Sequence, residues 1–188
     1  MGQLLYVDYS NLHIEGGHLA AVSKGYALNI HEASSRNVFD HHWLCDFGRL
    51  FDVLSQGLEV KRAVLFGSTR EGQSSRWELA AQNGFEVIAH ERDVYNREKM
   101  VDIDLALTVL EDALTTYQDG DIITLVTGDR DFVPLINRLM KRQIPVRVMF
   151  WAHASRSLRE HPGVFFSALN PFLKTLCSRS VGQTFSVA

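Results

Sequence analysis

The feature that most constrains the fold of this chain is a series of short apolar runs separated by segments with helical periodicity. Each run is too short to form a helix, and several are rich in β-branched residues, which indicates buried strands. Strands that alternate with helices are typical of a parallel sheet with crossover helices, so we predict an α/β fold. The predicted strands comprise residues 4–7, 60–66, 85–89, 122–126 and 146–151.

Helical periodicity is clearest in three segments. In residues 40–56 the apolar side chains recur at intervals of three and four, and Gly57 is placed to end that helix. Residues 13–39 contain glycine and serine pairs without clear periodicity, so we predict a mobile loop near the functional site. Residues 164–172 are apolar enough for a last strand or a packed end. The two other helical stripes consist of Ala106, Val109, Leu110 and Ala113, and of Phe132, Leu135, Ile136 and Leu139.

The composition favours a single domain. The 188 residues are 46% hydrophobic, which is enough apolar material to fill one core. We expect one domain over residues 1–178 and a flexible tail over 179–188, where the sequence becomes small and polar. The net charge of −3 argues against broad nonspecific binding to polyanions but leaves a local basic face open.

Other sequence signals narrow the class of protein. Cys45 and Cys177 lack the paired spacing of a zinc site, so we expect both to be reduced and structural. The N-terminus has no basic region before its apolar stretch, and no run of 18 apolar residues occurs. We therefore expect a soluble, cytoplasmic protein that makes no contact with a membrane.

Aspartates follow two of the predicted strands. Asp8 comes after the first run, and Asp129 and Asp131 come after the run at 122–126. Because the carboxyl ends of parallel strands meet at one edge of a sheet, these side chains should converge at a ligand crevice. Each aspartate could instead only cap the helix that follows it.

A third acidic pair opens the helix before that strand. Asp102 and Asp104 lie two positions apart, and residues two apart on a helix face different directions. At most one of them should therefore point at the shared crevice, and we favour Asp102. Two carboxylates about 4 Å apart repel by roughly 4 kcal/mol at an effective dielectric constant near 20. If the aspartates converge, a cation should bind between them, and magnesium prefers such oxygen ligands.

The motifs VDYSN, KMVDIDLA and VTGDRDFVPLI, in this order, resemble those of the NYN domain family of PIN-like nucleases, which includes the LabA-like proteins. The similarity spans roughly residues 4–170. It implies a PIN-like three-layer α/β/α sandwich with a mainly parallel central sheet. It also implies ribonuclease activity that depends on Mg²⁺ or Mn²⁺. The catalytic and metal-binding positions implied here are Asp8, Asp102, Asp129 and Asp131.

The same resemblance suggests where a substrate binds. Asn11 matches the family's asparagine in the first motif and would orient a ligand or a water. The chain departs from the family at Tyr9, where glycine is common, and at Met100, where glycine often follows the lysine, which leaves substrate choice open. The substrate-binding candidates are Ser10, Asn11, Lys99 and Arg130, with His13 as a further phosphate contact.

Basic and aromatic residues near the crevice, taken as a set, favour a face that binds RNA, either single-stranded or structured. They are Arg36, Arg70, Arg76 and Arg97, with Tyr9, Trp77 and Tyr95 as stacking candidates. Taken singly, each is better explained as a solvated or core side chain. The sequence leaves open whether the chain forms a homodimer or has a protein partner.

Rival interpretations of the site are weaker. The chain has no GxGxxG, GKS or GKT phosphate loop, and a toprim-like site would need a glutamate where Asp8 stands. The competing hypothesis for function is a catalytically inactive PIN-like module that binds RNA or a protein. A full acidic set favours the enzyme, because a pure binder gains nothing from carboxylates that repel one another.

Overall fold

The computed structural model of the protein describes residues 2–69, 74–91 and 98–178. Within these ranges six strands form one sheet in the order β3-β2-β1-β4-β5-β6, and every neighbouring pair is parallel. The predicted α/β class is confirmed. The strands are β1 (Gly2–Asp8), β2 (Glu59–Thr69), β3 (Glu86–Glu91), β4 (Ile122–Val126), β5 (Val146–Phe150) and β6 (Val164–Ala168).

Helices cover both faces of this sheet. On one face, α1, α3 and α4 pack against Leu5 and Val7 of β1, together with the segment that follows β6. On the other face, α5, α6 and α7 pack against Leu4 and Tyr6. Successive strand residues point to opposite faces, so β1 is buried along its whole length. The helices are α1 (Tyr9–Ser23), α2 (Ile30–Ser35), α3 (Phe47–Ser55), α4 (Ser74–Gln82), α5 (Glu98–Thr115), α6 (Val133–Lys141) and α7 (Arg156–Arg159).

The prediction of a mobile loop over residues 13–39 was wrong. Residues up to Ser23 belong to α1, and residues 30–35 form α2. The glycine pair inside α1 has a packing reason: a side chain on Gly17 would collide with the ring of Phe39, and one on Gly16 would lie 2.5 Å from Cη2 of Trp43. Two aromatic rings therefore rest directly on the backbone of this helix, which places the glycines in its buried face.

The helix predicted over residues 40–56 begins later, at Phe47. Asp46 caps it by accepting a hydrogen bond from the backbone N–H of Arg49 at 3.1 Å. The preceding residue, Cys45, is paired in an antiparallel bridge with Cys177, which keeps this segment extended. Both cysteines are free thiols. The helix ends at Ser55, and its C-cap residue Gln56 takes a left-handed conformation with φ of 48°.

Two 3₁₀ turns, Arg130–Phe132 and Asn170–Phe172, follow β4 and β6 respectively. No helix in the described ranges is long and apolar enough to cross a membrane. The expected flexible tail at 179–188 lies outside the described residues.

The strand order decides where a ligand would bind. From the central pair β1 and β4, the chain builds one half of the sheet through β2 and β3 and the other half through β5 and β6. In open parallel sheets, ligands bind at the carboxyl ends of the two neighbouring strands from which the strand order runs in opposite directions. Asp8 ends β1 at this point, and the loop after Val126 of β4 lies beside it.

Candidate active site

Asp8 lies at the junction of β1 and α1 and is buried, with 5% of its surface exposed. Its carboxylate accepts a hydrogen bond from the backbone N–H of Asn11 at 3.1 Å and so caps α1. It also accepts a hydrogen bond from the hydroxyl of Thr127 at 3.3 Å. The predicted capping role is therefore real, and it fixes the carboxylate at the end of β1.

The loop after β4 is joined to β1 by short polar contacts. The side-chain oxygen of Asn11 accepts a hydrogen bond from the backbone N–H of Gly128 at 2.9 Å. The hydroxyl of Thr127 accepts one from the N–H of Asp129 at 3.2 Å. A side chain at position 128 would collide with the ring of Phe150, so only glycine allows the loop to pass this closely. These contacts hold Asp129 next to Asp8.

The two aspartates of this loop have different environments. Asp129 is partly buried and caps the following 3₁₀ turn, because its carboxylate accepts a hydrogen bond from the N–H of Asp131 at 2.9 Å. Asp131 is exposed and lines a neighbouring groove between α5 and α6 instead of the space above Asp8. The predicted pair is thus divided between two adjoining concave surfaces.

The two aspartates of α5 also face different directions. Asp102 lines the concavity above Asp8 as well as the neighbouring groove. Asp104 lies two residues further along the helix, and its carboxylate is 2.8 Å from Nε2 of His90 in β3. Both residues are inside the helix, so the angular spacing of helical side chains separates them. Asp104 therefore does not line the concavity above Asp8.

A small pocket collects three of the four predicted aspartates. Its volume is about 130 Å³. Asp8 and Asp129 form one side at the strand ends, and Asp102 of α5 forms another. We call this space the acidic pocket; it is lined by Asp8, Ser10, Asn11, Ile14, Val101, Asp102 and Asp129.

Asp8 is the electrostatic centre of the acidic pocket. Burial, together with the negative charges of Asp102 and Asp129, raises the pKa of this carboxyl to about 7. The hydrogen bonds from Asn11 and Thr127 oppose the shift without cancelling it. Near neutral pH, Asp8 is therefore only partly ionised unless a positive charge is nearby.

Comparison with known proteins agrees with this geometry. A sequence profile of the NYN domain matches residues 4–169. The chain belongs to the NYN domain family. NYN domains are PIN-like, so the chain has a nuclease-like fold, and the resemblance based on the three motifs is confirmed.

The fold of this NYN domain is also found in a solved structure. The crystal structure of a protein of unknown function from Vibrio parahaemolyticus matches with a TM-score of 0.63 and 20% sequence identity. The match covers 89% of this chain and 92% of the other chain. At this identity the likeness shows the fold alone. A comparison with curated proteins finds no match.

The acidic pocket of the NYN domain fits a hard divalent cation by the kind of donor it offers. Its donors are carboxylate, hydroxyl and amide oxygens. Among the described residues, however, no three histidine, cysteine, aspartate or glutamate side chains come together as a complete metal-ligand set. Magnesium commonly uses only one or two protein carboxylates and completes its shell with water. Two aspartates of the pocket would therefore be enough.

Only two of the four predicted substrate-binding residues of the NYN domain are seen to line the acidic pocket. Ser10 and Asn11 line the acidic pocket. Arg130 is exposed next to Asp129. Lys99 belongs to α5, three residues before Asp102, but its side chain lies outside the described part of the structure.

Several of the other basic and aromatic candidates are paired or at least partly buried. Arg36 is paired with Glu32 at 2.7 Å, and Tyr9 is buried, with 5% exposed, so it does not offer an open stacking surface. Arg76 and Trp77 are partly buried beside Tyr9. Arg70, Tyr95 and Arg97 lie outside the described residues.

Sequence reasoning missed Thr127 as a functional residue. It is buried, with 1% exposed, and it joins Asp8 to Asp129 through its single hydroxyl. The available signal was its position between a strand and the GD dipeptide, where a hydroxyl can bond to the neighbouring loop.

Proposed function

We propose that this NYN domain is a metal-dependent ribonuclease that hydrolyses phosphodiester bonds in RNA. The observation that carries the proposal is the acidic pocket, in which Asp8, Asp102 and Asp129 converge at the carboxyl ends of β1 and β4. Burial, with a smaller contribution from the charges of Asp102 and Asp129, raises the pKa of Asp8 to about 7, so an ionised Asp8 is destabilising here without a cation. A divalent cation would offset this cost, which supports a metal-binding role for the pocket.

The residues of the pocket have distinct roles in this proposal. Two of the three carboxylates of Asp8, Asp102 and Asp129 would bind Mg²⁺ or Mn²⁺ directly, and the third would contact the ion through its bound water. Asp131, on the adjoining groove, adds a fourth carboxylate to the same acidic region. When bound, the ion supplies an activated hydroxide and stabilises the leaving oxygen of the phosphodiester. Thr127 keeps the carboxylates of the two strand ends in register through its hydrogen bonds.

Substrate contacts come from the rim of the pocket. Ser10 offers a hydroxyl inside it, and exposed Arg130 offers a cation one residue from Asp129. Lys99, which precedes Asp102 by three residues in the sequence of α5, is a further basic candidate. Phosphate contacts by arginine and lysine supply much of the affinity of proteins for nucleic acids. These residues support RNA, single-stranded or structured, as the substrate class.

A catalytically inactive PIN-like module that binds RNA or a protein is the second candidate. The observation that favours it is that no three metal-binding side chains come together in the described ranges. Against it, the fold maintains three carboxylates around one small pocket despite their repulsion. A metal-dependent nuclease explains why the fold keeps these repelling carboxylates together, and a binding module does not.

The proposal is tested by cleavage of labelled single-stranded and structured RNA in Mn²⁺, Mg²⁺ and EDTA. Wild type is compared with Asp129→Asn and with Asp104→Asn. Asp104 is a matched control, because it is a carboxylate on α5 that contacts His90 instead of lining the pocket. We expect Asp129→Asn to lose more activity than the roughly 10- to 100-fold that outer-shell changes typically cost, and Asp104→Asn to remain active.

Two outcomes would contradict the nuclease. Cleavage by the wild type that persists in EDTA would show that the reaction does not need a divalent cation. Cleavage by Asp129→Asn at the wild-type rate would show that the acidic pocket is not the active site. Binding of RNA without cleavage, by wild-type protein shown to be folded, would favour the inactive module.

A further inference from the structure

Buried polar atoms without a hydrogen-bond partner are concentrated at one place, beside the end of β1. Within the described ranges, five of the six such atoms belong to four neighbouring residues: Tyr9 Oη, His13 Nδ1, Trp77 Nε1, and Nε and Nη2 of Arg76. We call these four residues the arginine cluster. Folded proteins satisfy nearly all buried polar groups, so each exception needs an explanation. The side chains of His13, Arg76 and Trp77 all pack on Tyr9, so these exceptions point to one common ligand.

The arginine cluster is held rigidly by ring contacts. The guanidinium of Arg76 lies 5.2 Å from the ring centre of Tyr9 and 5.9 Å from that of Phe47. Tyr9 stacks on His13 at 5.5 Å, and Trp77 meets Tyr9 edge-on at 5.6 Å. These contacts orient the polar atoms, and the Tyr9 hydroxyl and the Arg76 guanidinium lie close enough to interact weakly with each other.

The charge of Arg76 is not balanced by a neighbouring carboxylate in the described part of the chain. Ion pairs there serve other cations, such as Arg62 with Asp112 and Lys61 with Asp121, and none of these pairs includes Arg76. Cation–π contacts with two rings offset only part of the cost of removing a guanidinium from water. An anion at this position would supply the balancing charge.

The polar atoms of the cluster are mainly donors. Nε and Nη2 of Arg76 form the planar fork that matches two oxygens of a carboxylate or phosphate. The Trp77 N–H and the Tyr9 hydroxyl are further donors. His13 adds no positive charge, because burial and the nearby Arg76 charge lower its pKa to about 4. A ligand with several oxygens and a negative charge fits this set, and a phosphate group is the fullest match.

A ligand can reach the cluster from the groove between α3 and α4. Arg76, Cys45 and Phe47 line a cavity there of about 670 Å³, a size typical of ligand pockets. Tyr9 lies behind the wall of this cavity, because its ring packs at 5.3 Å against the ring of Phe47, which lines the cavity.

Two carboxylates also line this cavity. Asp46 is already engaged, since it caps α3 and lies 3.6 Å from Nε of Arg49. Glu78 is exposed on α4 and lies towards the solvent. The inner end, where Arg76 lies, is therefore the electropositive part of the cavity.

The cluster flanks the acidic pocket across the end of β1. Tyr9 directly follows Asp8, and it packs with α3 and α4 on the face of the sheet opposite α5.

We propose that the arginine cluster binds a phosphate group, and that this phosphate belongs to the RNA whose backbone is cut at the acidic pocket. The assignment to RNA rests on the proposed nuclease function, whereas the phosphate site does not. The cluster anchors the substrate on one side of β1, and the carboxylates act on the other side.

The phosphate site is tested by isothermal titration and thermal unfolding in EDTA, where no divalent cation is needed and no RNA is cut. The probes are inorganic phosphate, adenosine 5′-monophosphate and adenosine. We expect the monophosphate to bind and to raise the melting temperature, and adenosine to do neither. Arg76→Gln should weaken monophosphate binding by about tenfold or more, since it removes hydrogen bonds to a charged group.

Two further variants keep the test valid if Arg76→Gln folds poorly. Tyr9→Phe removes only a hydroxyl and leaves the ring stack intact, and it should weaken binding roughly two- to tenfold. Arg142→Gln removes an exposed cation at the end of α6 and should bind like the wild type. Equal binding of adenosine and its monophosphate, or wild-type affinity in folded Arg76→Gln, would overturn the phosphate site.

The source of the phosphate is distinguished with RNA in the same buffer. Tighter binding of RNA with a 5′-phosphate than with a 5′-hydroxyl, lost in Arg76→Gln, would assign the cluster to the end of the chain. Equal binding of both RNAs, weakened to the same degree by Arg76→Gln, would assign it to a backbone phosphate. Unchanged RNA affinity in a variant that no longer binds inorganic phosphate would overturn the assignment to RNA.

Discussion

At the scale of single residues, Asp8 shows a conflict between stability and function. Burial and two neighbouring carboxylates raise its pKa from 3.8 to about 7. The folded state therefore holds a proton that the unfolded chain releases near pH 4. The domain is most stable with respect to this group below pH 4, loses stability as pH rises towards 7, and carries the full penalty above pH 7.

Replacing Asp8 by asparagine should remove this penalty. In metal-free buffer at pH 8, Asp8→Asn should unfold at a higher denaturant concentration than the wild type, by a free energy on the order of a few kcal/mol. The difference should disappear near pH 4, and asparagine can still accept the cap from the N–H of Asn11. Urea unfolding at several pH values measures this. Asp119→Asn, an exposed carboxylate, is the control.

The opposite pH trend would contradict this account of Asp8. If the metal-free variant were less stable than the wild type at pH 8 and equal to it at pH 4, Asp8 would act as a stabilising anion. Burial and the charges of Asp102 and Asp129 would then not raise its pKa.

Thr127 should matter more than its single hydroxyl suggests. Thr127→Val keeps the shape but removes the donor to Asp8 and the acceptor for Asp129, which are both needed to hold the pocket. We expect the affinity for Mn²⁺ and kcat/KM on RNA to fall by roughly 10- to 100-fold. Thr115→Val, at the exposed end of α5, should leave both unchanged; equal effects of the two variants would show that Thr127 has no special role.

Individual site residues could be predicted when they followed a recognisable strand or helix start. Asp8, Asp102 and Asp129 were predicted in this way, and the structure places all three on the acidic pocket. The position of Asp131 could not be predicted, because it depends on Asp129 capping a 3₁₀ turn that then directs Asp131 outward. The arginine cluster was also beyond prediction, since Arg76 and Tyr9 meet only through the fold.

At the scale of elements, α1 shows why local sequence can mislead. Its Gly16 and Gly17 suggest a loop by composition, yet they form the buried face of a helix under Trp43 and Phe39. The information that makes this segment a helix lies more than twenty residues away in the aromatic side chains. By contrast, residues 122–126 could be predicted with correct bounds, because an apolar run flanked by polar residues needs no distant partner.

The glycines of α1 give a stability prediction. Gly17→Ala should destabilise the domain by about 1 to 3 kcal/mol, because the new methyl group collides with Phe39. This outweighs the gain of up to about 1 kcal/mol that alanine offers in a helix. Gly48→Ala in α3 is the matched control, since the new methyl group would meet only the movable end of Asn83. Chemical denaturation of both variants measures the difference, and equal stabilities would contradict the packing argument.

At the scale of the whole molecule, the sheet order creates the site. Asp8 and Asp129 are far apart in the sequence, and they meet because β1 and β4 are neighbours at the centre of the sheet. The sequence predicts the strands but not their order, since the parallel pairing of β1 with both β2 and β4 is decided by packing of the two helical layers. The same central position places the acidic pocket and the arginine cluster on opposite sides of β1.

The central claim is that the acidic pocket binds a divalent cation, and thermal unfolding with and without Mn²⁺ tests it most directly. A ligand at 100 times its Kd stabilises the folded state by about 2.7 kcal/mol, which is a rise in Tm of roughly 5 to 10 °C for a domain of this size. We expect that rise in the wild type and in Asp104→Asn. We expect none in the double variant Asp8→Asn, Asp129→Asn. An equal rise in the double variant would place the cation elsewhere and contradict the account.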